Sequence, residues 1–163
     1  MEIIGYKCFN KNMTNRYNIP FEIGCSYQIT GKIKFGNNGN GFHMCKNLED
    51  TLRYFDYKND DIAICLVKGS GNVVEHSDEY YGYYEMYAVE KIEIIRLLSR
   101  EEIISYALKL NEIRVKKFIN CFRLTTEEII LFKEKYKEKK DVLEYINYYQ
   151  ETKRKRLIIK KEF

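Results

Sequence analysis

The stretch "VEKIEIIRLLSREEI", residues 89–103, changes period halfway along, and that change decides the fold class. Val89, Ile92 and Ile94 alternate with Glu90, Lys91 and Glu93 apart from one slip, as in a half-buried strand. From Leu98 the pattern is helical. Ser99 stands as a cap with Glu102 three residues on, and Leu98 and Ile103 flank them, which satisfies a capping box and a hydrophobic staple together. The spacing recurs 26 residues later in "LTTEEI", with Thr125 as cap, Glu128 in the box, and Leu124 and Ile129 as the staple.

Upstream of this seam the chain reads as strands and turns. "IIGYKCF" (3–9), "CSYQITGKIKF" (25–35) and "GFHMC" (41–45) carry β-branched and aromatic residues, with Gly31 a bend or bulge. "FGNNGNG" (35–41) is the clearest loop, because Gly and Asn tolerate positive φ. Asn47 is placed to cap a helix reaching Tyr54 or Phe55. "DIAICLVKG" (61–69) reads as a buried central strand, and "GNVVEH" (71–76) as a short strand paired to it through a Gly69–Gly71 turn. "DEYYGYYEMYA" (78–88) fits neither period. Downstream, "NEIRVKKFINCF" (111–122) places Ile113, Phe118, Ile119 and Phe122 near one helical stripe, and Asp141 with Glu144 opens a last helix to about Arg154. The two boxes suggest tandem helical hairpins. The expected fold is α+β: a mostly antiparallel, β-rich unit over 1–97, then a helical part over 98–163 with a basic tail.

Bulk composition narrows the class further. The 163 residues are 45% hydrophobic and 32% charged, ordinary for a globular protein and too apolar for disorder. Residues 1–99 carry 11 Lys and Arg against 13 Asp and Glu, whereas residues 100–163 carry 17 against 11. "KRKRLIIKKEF" at the end, with Lys153, Arg154, Lys155 and Arg156, is a candidate polyanion-binding segment, and such a tail would attract nucleic acid or an anionic membrane surface. A solvated helix end, its cations suited to the helix dipole, has the same composition. Five cysteines without a C-x-x-C do not form a disulfide framework, and "MEIIGYKCF" lacks the basic start and apolar core of a secretory leader. No run approaches the roughly 20 apolar residues of a membrane span. A reduced, cytoplasmic protein that does not enter membranes is expected.

No phosphate loop, dinucleotide fingerprint, zincin helix or nucleophile elbow is present. His43 and Cys45 stand at i and i+2, so on a strand both side chains share one face. Cys8 or Cys65 on neighbouring strands could join them around a metal, but strand cysteines are more often small buried hydrophobes, and no metal is expected. As a nucleophile pair the two are poorly placed, about 6–7 Å apart along the strand. His43 is expected either to be hydrogen-bonded within the sheet or to contact a ligand at a pocket mouth beside the Gly-Asn loop. The candidate ligand- or partner-binding set is Lys7, Asn10, His43, Cys45, Tyr54 and Glu85, the last from the acidic, tyrosine-rich run where a carboxylate could act as acid or base.

"YKCFNKNMT", "FEIGCSYQITGKIK", "GFHMCKNLEDTLRYF" and "KIEIIRLLSREEI", in this order over residues 4 to 104, resemble an uncharacterised domain found in phage and bacterial proteins. The resemblance rests on Lys7, Phe9, Thr14, Gly41, Phe42, His43, Cys45, Ile92 and Arg96 and implies no activity. Asn15 stands where members often have Cys. A more distant likeness joins "GNGFHMCKNLEDTLRYF" to the strand and helix beside the nicotinamide pocket of ADP-ribosyltransferase-like folds. It implies NAD against residues 40–55, Lys7 in place of the usual first-strand Arg or His, and Glu85, Glu90 or Glu93 as the glutamate. The first expectation is therefore a non-catalytic accessory protein of a phage or mobile element, without cofactor, binding a protein partner through the loop face around His43 and the basic helical tail. An NAD-dependent transferase and a nucleic-acid binder are the alternatives, and the oligomeric state is open.

Overall fold

A computed structural model describes residues 1–36, 38–54, 61–78 and 84–152, with only the main chain described at Tyr54, Ser77, Asp78, Tyr84, Glu151 and Thr152. The chain divides into two compact units, one formed by residues 1–54 and 61–98 and the other by residues 99–152. The class is α+β, with an antiparallel sheet in the first unit and helices in the second.

Five strands build the first unit: β1 (Glu2–Asn10), β2 (Ser26–Gln28), β3 (Phe42–Cys45), β4 (Ile62–Asp78) and β5 (Tyr84–Leu97). β1 runs against β4 from Glu2↔Ser70 to Asn10↔Ile62, and β4 against β5. β5 pairs in turn with β3 from Phe42↔Val89 to Cys45↔Met86, and β3 returns to β1 at Tyr6↔Cys45. Four strands thus form a closed circuit, a small barrel whose β1–β3 closure rests on that one pair. β2 is added to β5 beyond β3, at Tyr27↔Ile92. Inside lie Phe9, Phe21, Met44, Cys65, Val67, Tyr87, Val89, Ile92 and Ile94.

The glycines at 69 and 71 do not turn the chain. Residues 62–78 are one strand, and both of its halves pair with β5, so the expected pairing of 71–76 with 61–69 is corrected. The register shifts at Leu66/Val67 and Ser70/Val73, and Gly71 has φ +79°, so the glycine region bends a continuous strand around the barrel. Gly69 is needed for closeness: a Cβ there would stand 2.6 Å from the Met44 sulfur. The strand expected over 25–35 shrinks to Ser26–Gln28, with Lys34 only bridged to Asn40. Between β3 and β4 the expected helix is one turn, α1 (Leu48–Thr51), followed by a 3-10 turn at Leu52–Tyr54. Asn47 precedes it without capping; its amide donates to Asp50 Oδ2 at 3.4 Å.

The second unit comprises α2 (Arg100–Ala107), α3 (Glu112–Cys121), α4 (Thr126–Lys135), α5 (Lys140–Tyr145) and a π-helical stretch at Ile146–Thr152. Both capping boxes form as the spacing requires: Ser99 with Glu102, and Thr125 with Glu128. Asn111 caps α3 through its side chain. Phe118 and Phe132 are fully buried, each contributing about 2–3 kcal/mol of apolar transfer. Ile113, expected on the buried stripe, is 71% exposed, and Val115 takes the inner position. Arg100 ties the boxes together, donating to both carboxylate oxygens of Glu128 (2.7 and 2.8 Å) and to the Arg123 carbonyl.

Candidate binding site at the seam of β1 and β3

Alternation along β1 sends Ile3, Gly5, Lys7 and Phe9 to one face and Tyr6 and Cys8 to the other. The β1–β3 ladder holds at one pair only, Tyr6↔Cys45. Beyond it the strands part, and Lys7 Nζ donates to the His43 carbonyl at 2.6 Å in place of a ladder bond. Lys7 also stands 5.6 Å from the Phe9 ring centroid. Burial pulls its ammonium down to about 8, against a smaller upward pull from the Cys45 and Cys8 thiols.

The sign of this shift gives a pH prediction. Between pH 8 and 10.5 the unfolded lysine holds a proton that the folded one has lost, so Lys7 makes stability rise with pH across that window. The rise amounts to about 3 kcal/mol. The buried thiols oppose it above pH 9, because burial raises Cys65 to about 11 and Cys45 to about 12. Subtracting the profile of Lys7→Met from that of the wild type isolates the lysine. Urea unfolding across this range should show the wild type gaining on the variant as pH rises, and a constant difference would refute the assignment.

His43 lies half-buried with its ring against Phe35, centroids 4.8 Å apart, while His76 stacks on the same Phe35 ring at 4.4 Å. Its Nε2 accepts from the Gly36 N–H at 3.1 Å, which requires a neutral ring with the proton on Nδ1. Burial first, then the Lys7 charge, hold its pKa below 6.5, and a hydrogen bond to the Gly41 main chain acts in the other direction. The ring therefore staples the loop that precedes it. His43→Phe keeps the ring contact and deletes the acceptor, at an expected cost of about 1–2 kcal/mol at neutral pH. Because the folded pKa is depressed, the stabilisation by neutral His43 is present above 6.5 and fades as pH falls below it. The gap between wild type and variant should close on acidification, and parallel pH profiles would disprove the staple.

Cys45 is buried beside β1, and α1 brings two acids with it: Glu49 is 2% exposed and Asp50 is 1% exposed. Asp50 Oδ2 accepts from the Glu85 N–H at 3.3 Å, and the Glu49 charge helps burial to raise the Tyr6 phenol. Burial, then Asp50, raise the Cys45 thiol. Burial likewise pushes the Cys8 thiol up. All five cysteines are free thiols. Among the described residues no group of three or more His, Cys, Asp or Glu side chains is placed to hold a metal.

The remaining candidates separate. Asn10 serves the turn after β1, donating through Nδ2 to Thr14 Oγ1 and the Asn15 carbonyl, both at 3.1 Å. Glu85 pairs with Lys46 at 3.4 Å. Glu90 accepts from Gln28 and from the Asn72 N–H, and Glu93 pairs with Lys68 at 2.9 Å. Only the main chain of Tyr54 is described, and Lys153, Arg154, Lys155 and Arg156 lie outside the described residues. The structure thus brings together Lys7, His43 and Cys45. Gly5 and Glu49 belong to the same neighbourhood and escaped the sequence reading. An isolated glycine inside a strand pattern was the available signal for Gly5, and no periodicity marks Glu49.

A family model for a domain of unknown function, DUF7666, matches residues 3–106. The chain belongs to that family. The DUF7666 match runs from β1 into α2, so it takes in the seam and leaves α3 to α5 outside. The motifs that resembled an uncharacterised domain fall within it. No curated protein and no solved structure matches the chain. No described helix is long and apolar enough to cross a membrane.

Proposed function

We propose that this DUF7666 chain is a non-catalytic interaction module, an accessory protein of a phage or mobile element, whose barrel unit grips a protein partner. The observation that carries this reading is the turn at residues 14–20. Asn15 Oδ1 accepts from the Tyr17 and Ile19 N–H groups at 2.9 and 3.0 Å, and the Asn15 N–H donates to the Ile19 carbonyl. Asn18 sits at φ +61° and the Arg16 guanidinium lies 4.8 Å from the Tyr17 ring centroid. A turn braced in this way holds Tyr17 62% exposed and Ile19 53% exposed. A rigid, exposed Tyr beside Arg and an aliphatic residue is the composition of an interface anchor, and its ordering entropy is already met in the free protein.

The polar groups of the seam support the same reading from the other side. Lys7 and both His43 nitrogens are engaged by main chain, and the Cys8 and Cys45 thiols are held protonated. NAD chemistry asks for a glutamate beside Lys7 and His43; Glu85, Glu90 and Glu93 pair instead with Lys46, Gln28 and Lys68, and the acid of this neighbourhood, Glu49, is buried at 2% exposure. The test places a photocrosslinking phenylalanine at position 17 in the native host and again at exposed Lys32 as control. The protein crosslinked only from position 17 is purified and titrated calorimetrically. Tyr17→Ala with Ile19→Ser should weaken it at least about tenfold, or 1.4 kcal/mol, without loss of folding. Unchanged affinity would refute the surface, and saturable NAD binding abolished by His43→Phe would favour the enzyme.

A further inference from the structure

The starts of α2 and α4 match closely enough to be compared position by position. Shifting by 26 residues carries Ser99 onto Thr125, Glu102 onto Glu128, Ile103 onto Ile129 and Ile104 onto Ile130. Ile103 and Ile129 are both buried, each 7% exposed. The next pair differs: Ile104 is 7% exposed, but Ile130 is 63% exposed, and Leu131 beside it is 52% exposed. The repeat covers this position in one copy and leaves it open in the other. On α4 the exposed Ile130 and Leu131 lie together among the exposed polar residues Thr126, Glu127, Glu134 and Lys135.

The charges flanking the open stripe indicate what fits it. Glu127 lies four residues before Leu131 and Lys135 four residues after, and all three are exposed. Residues at i, i+4 and i+8 form one ridge of a helix. Laying a second α4 antiparallel, Leu131 over Leu131, sets Glu127 opposite Lys135 of the second copy and Lys135 opposite its Glu127. Parallel packing would oppose like charges.

We propose that the outer face of α4, centred on Ile130 and Leu131, is a self-association surface that takes a second copy of this chain in an antiparallel, two-fold arrangement. The occupant is a second copy because the ridge is its own electrostatic complement. The proposal is independent of the Tyr17 turn.

Sedimentation velocity of the full chain, with reductant and over a concentration series from low micromolar upward, should show a monomer–dimer equilibrium. Leu131→Lys should leave the helical content unchanged and abolish the dimer. Glu127→Lys and Lys135→Glu should each weaken dimerisation at least about tenfold, and the double exchange should restore it to within about threefold of the wild type. A chain that stays monomeric throughout, a dimer indifferent to Leu131→Lys, or a double exchange no better than its single components would each overturn the proposal.

Discussion

Gly5→Ala is expected to open the barrel, at a cost of at least about 4 kcal/mol. A Cβ at position 5 would overlap the carbonyl oxygen of Cys45 and stand 2.8 Å from Met44 Cε. The obstacle is main chain of the neighbouring strand, which cannot rotate away as a side chain does. Relief requires β3 to move outward, and β3 meets β1 at a single ladder pair, Tyr6↔Cys45, next to the obstruction. Losing that pair also unseats Lys7 from the His43 carbonyl. Thermal unfolding of the variant should begin roughly 15 °C or more below the wild type. Gly69→Ala supplies the contrast, because its added Cβ meets the Met44 sulfur and the Val89 methyls, which can repack. Equal losses from the two substitutions would mean that the seam is not the tight point of the barrel.

The second large effect is expected at Gln150. This side chain is fully buried, and every polar atom on it serves main chain. Nε2 donates to the carbonyls of Ile119 and Phe122 at 2.6 and 2.7 Å, and Oε1 accepts from the Leu124 N–H at 2.7 Å. It therefore satisfies the end of α3 and the start of the link to α4 together. Gln150→Leu keeps the volume and strands three buried main-chain groups, for an expected loss of about 4 kcal/mol from the helical unit. Gln150→Glu should do comparable harm, since a carboxylate lacks both donors and brings a buried charge. Urea unfolding followed by helical circular dichroism checks both variants. A loss below about 1 kcal/mol from Gln150→Leu would show that water replaces these bonds at little cost.

These residues also mark where sequence reasoning stopped. The helix starts were legible because a capping box is a local device: Ser99 with Glu102, and Thr125 with Glu128, need only the right residues three apart. Membership of an uncharacterised domain was legible from ordered motifs over most of residues 3–106. The glycines carry a less local signal. Gly69 and Gly71 look like a hairpin turn, yet the strand runs through them, because its partner on both sides of the bend is β5. Ile113 and Val115 could exchange burial because a helical stripe tolerates a rotation that only the facing helix settles.

By itself, then, the order of residues determined the α+β division, the membership of an uncharacterised domain and the two capping-box helix starts. Tertiary structure alone decided that β1 and β3 meet, that Lys7 reaches the carbonyl of His43, that Gly5 must lack a side chain, and that Gln150 closes the helical unit. Capping and periodicity act within a few residues, so one chain segment contains them. Strand pairing joins residues tens of positions apart, as Tyr6 joins Cys45, and which partner wins depends on the closure of the whole circuit.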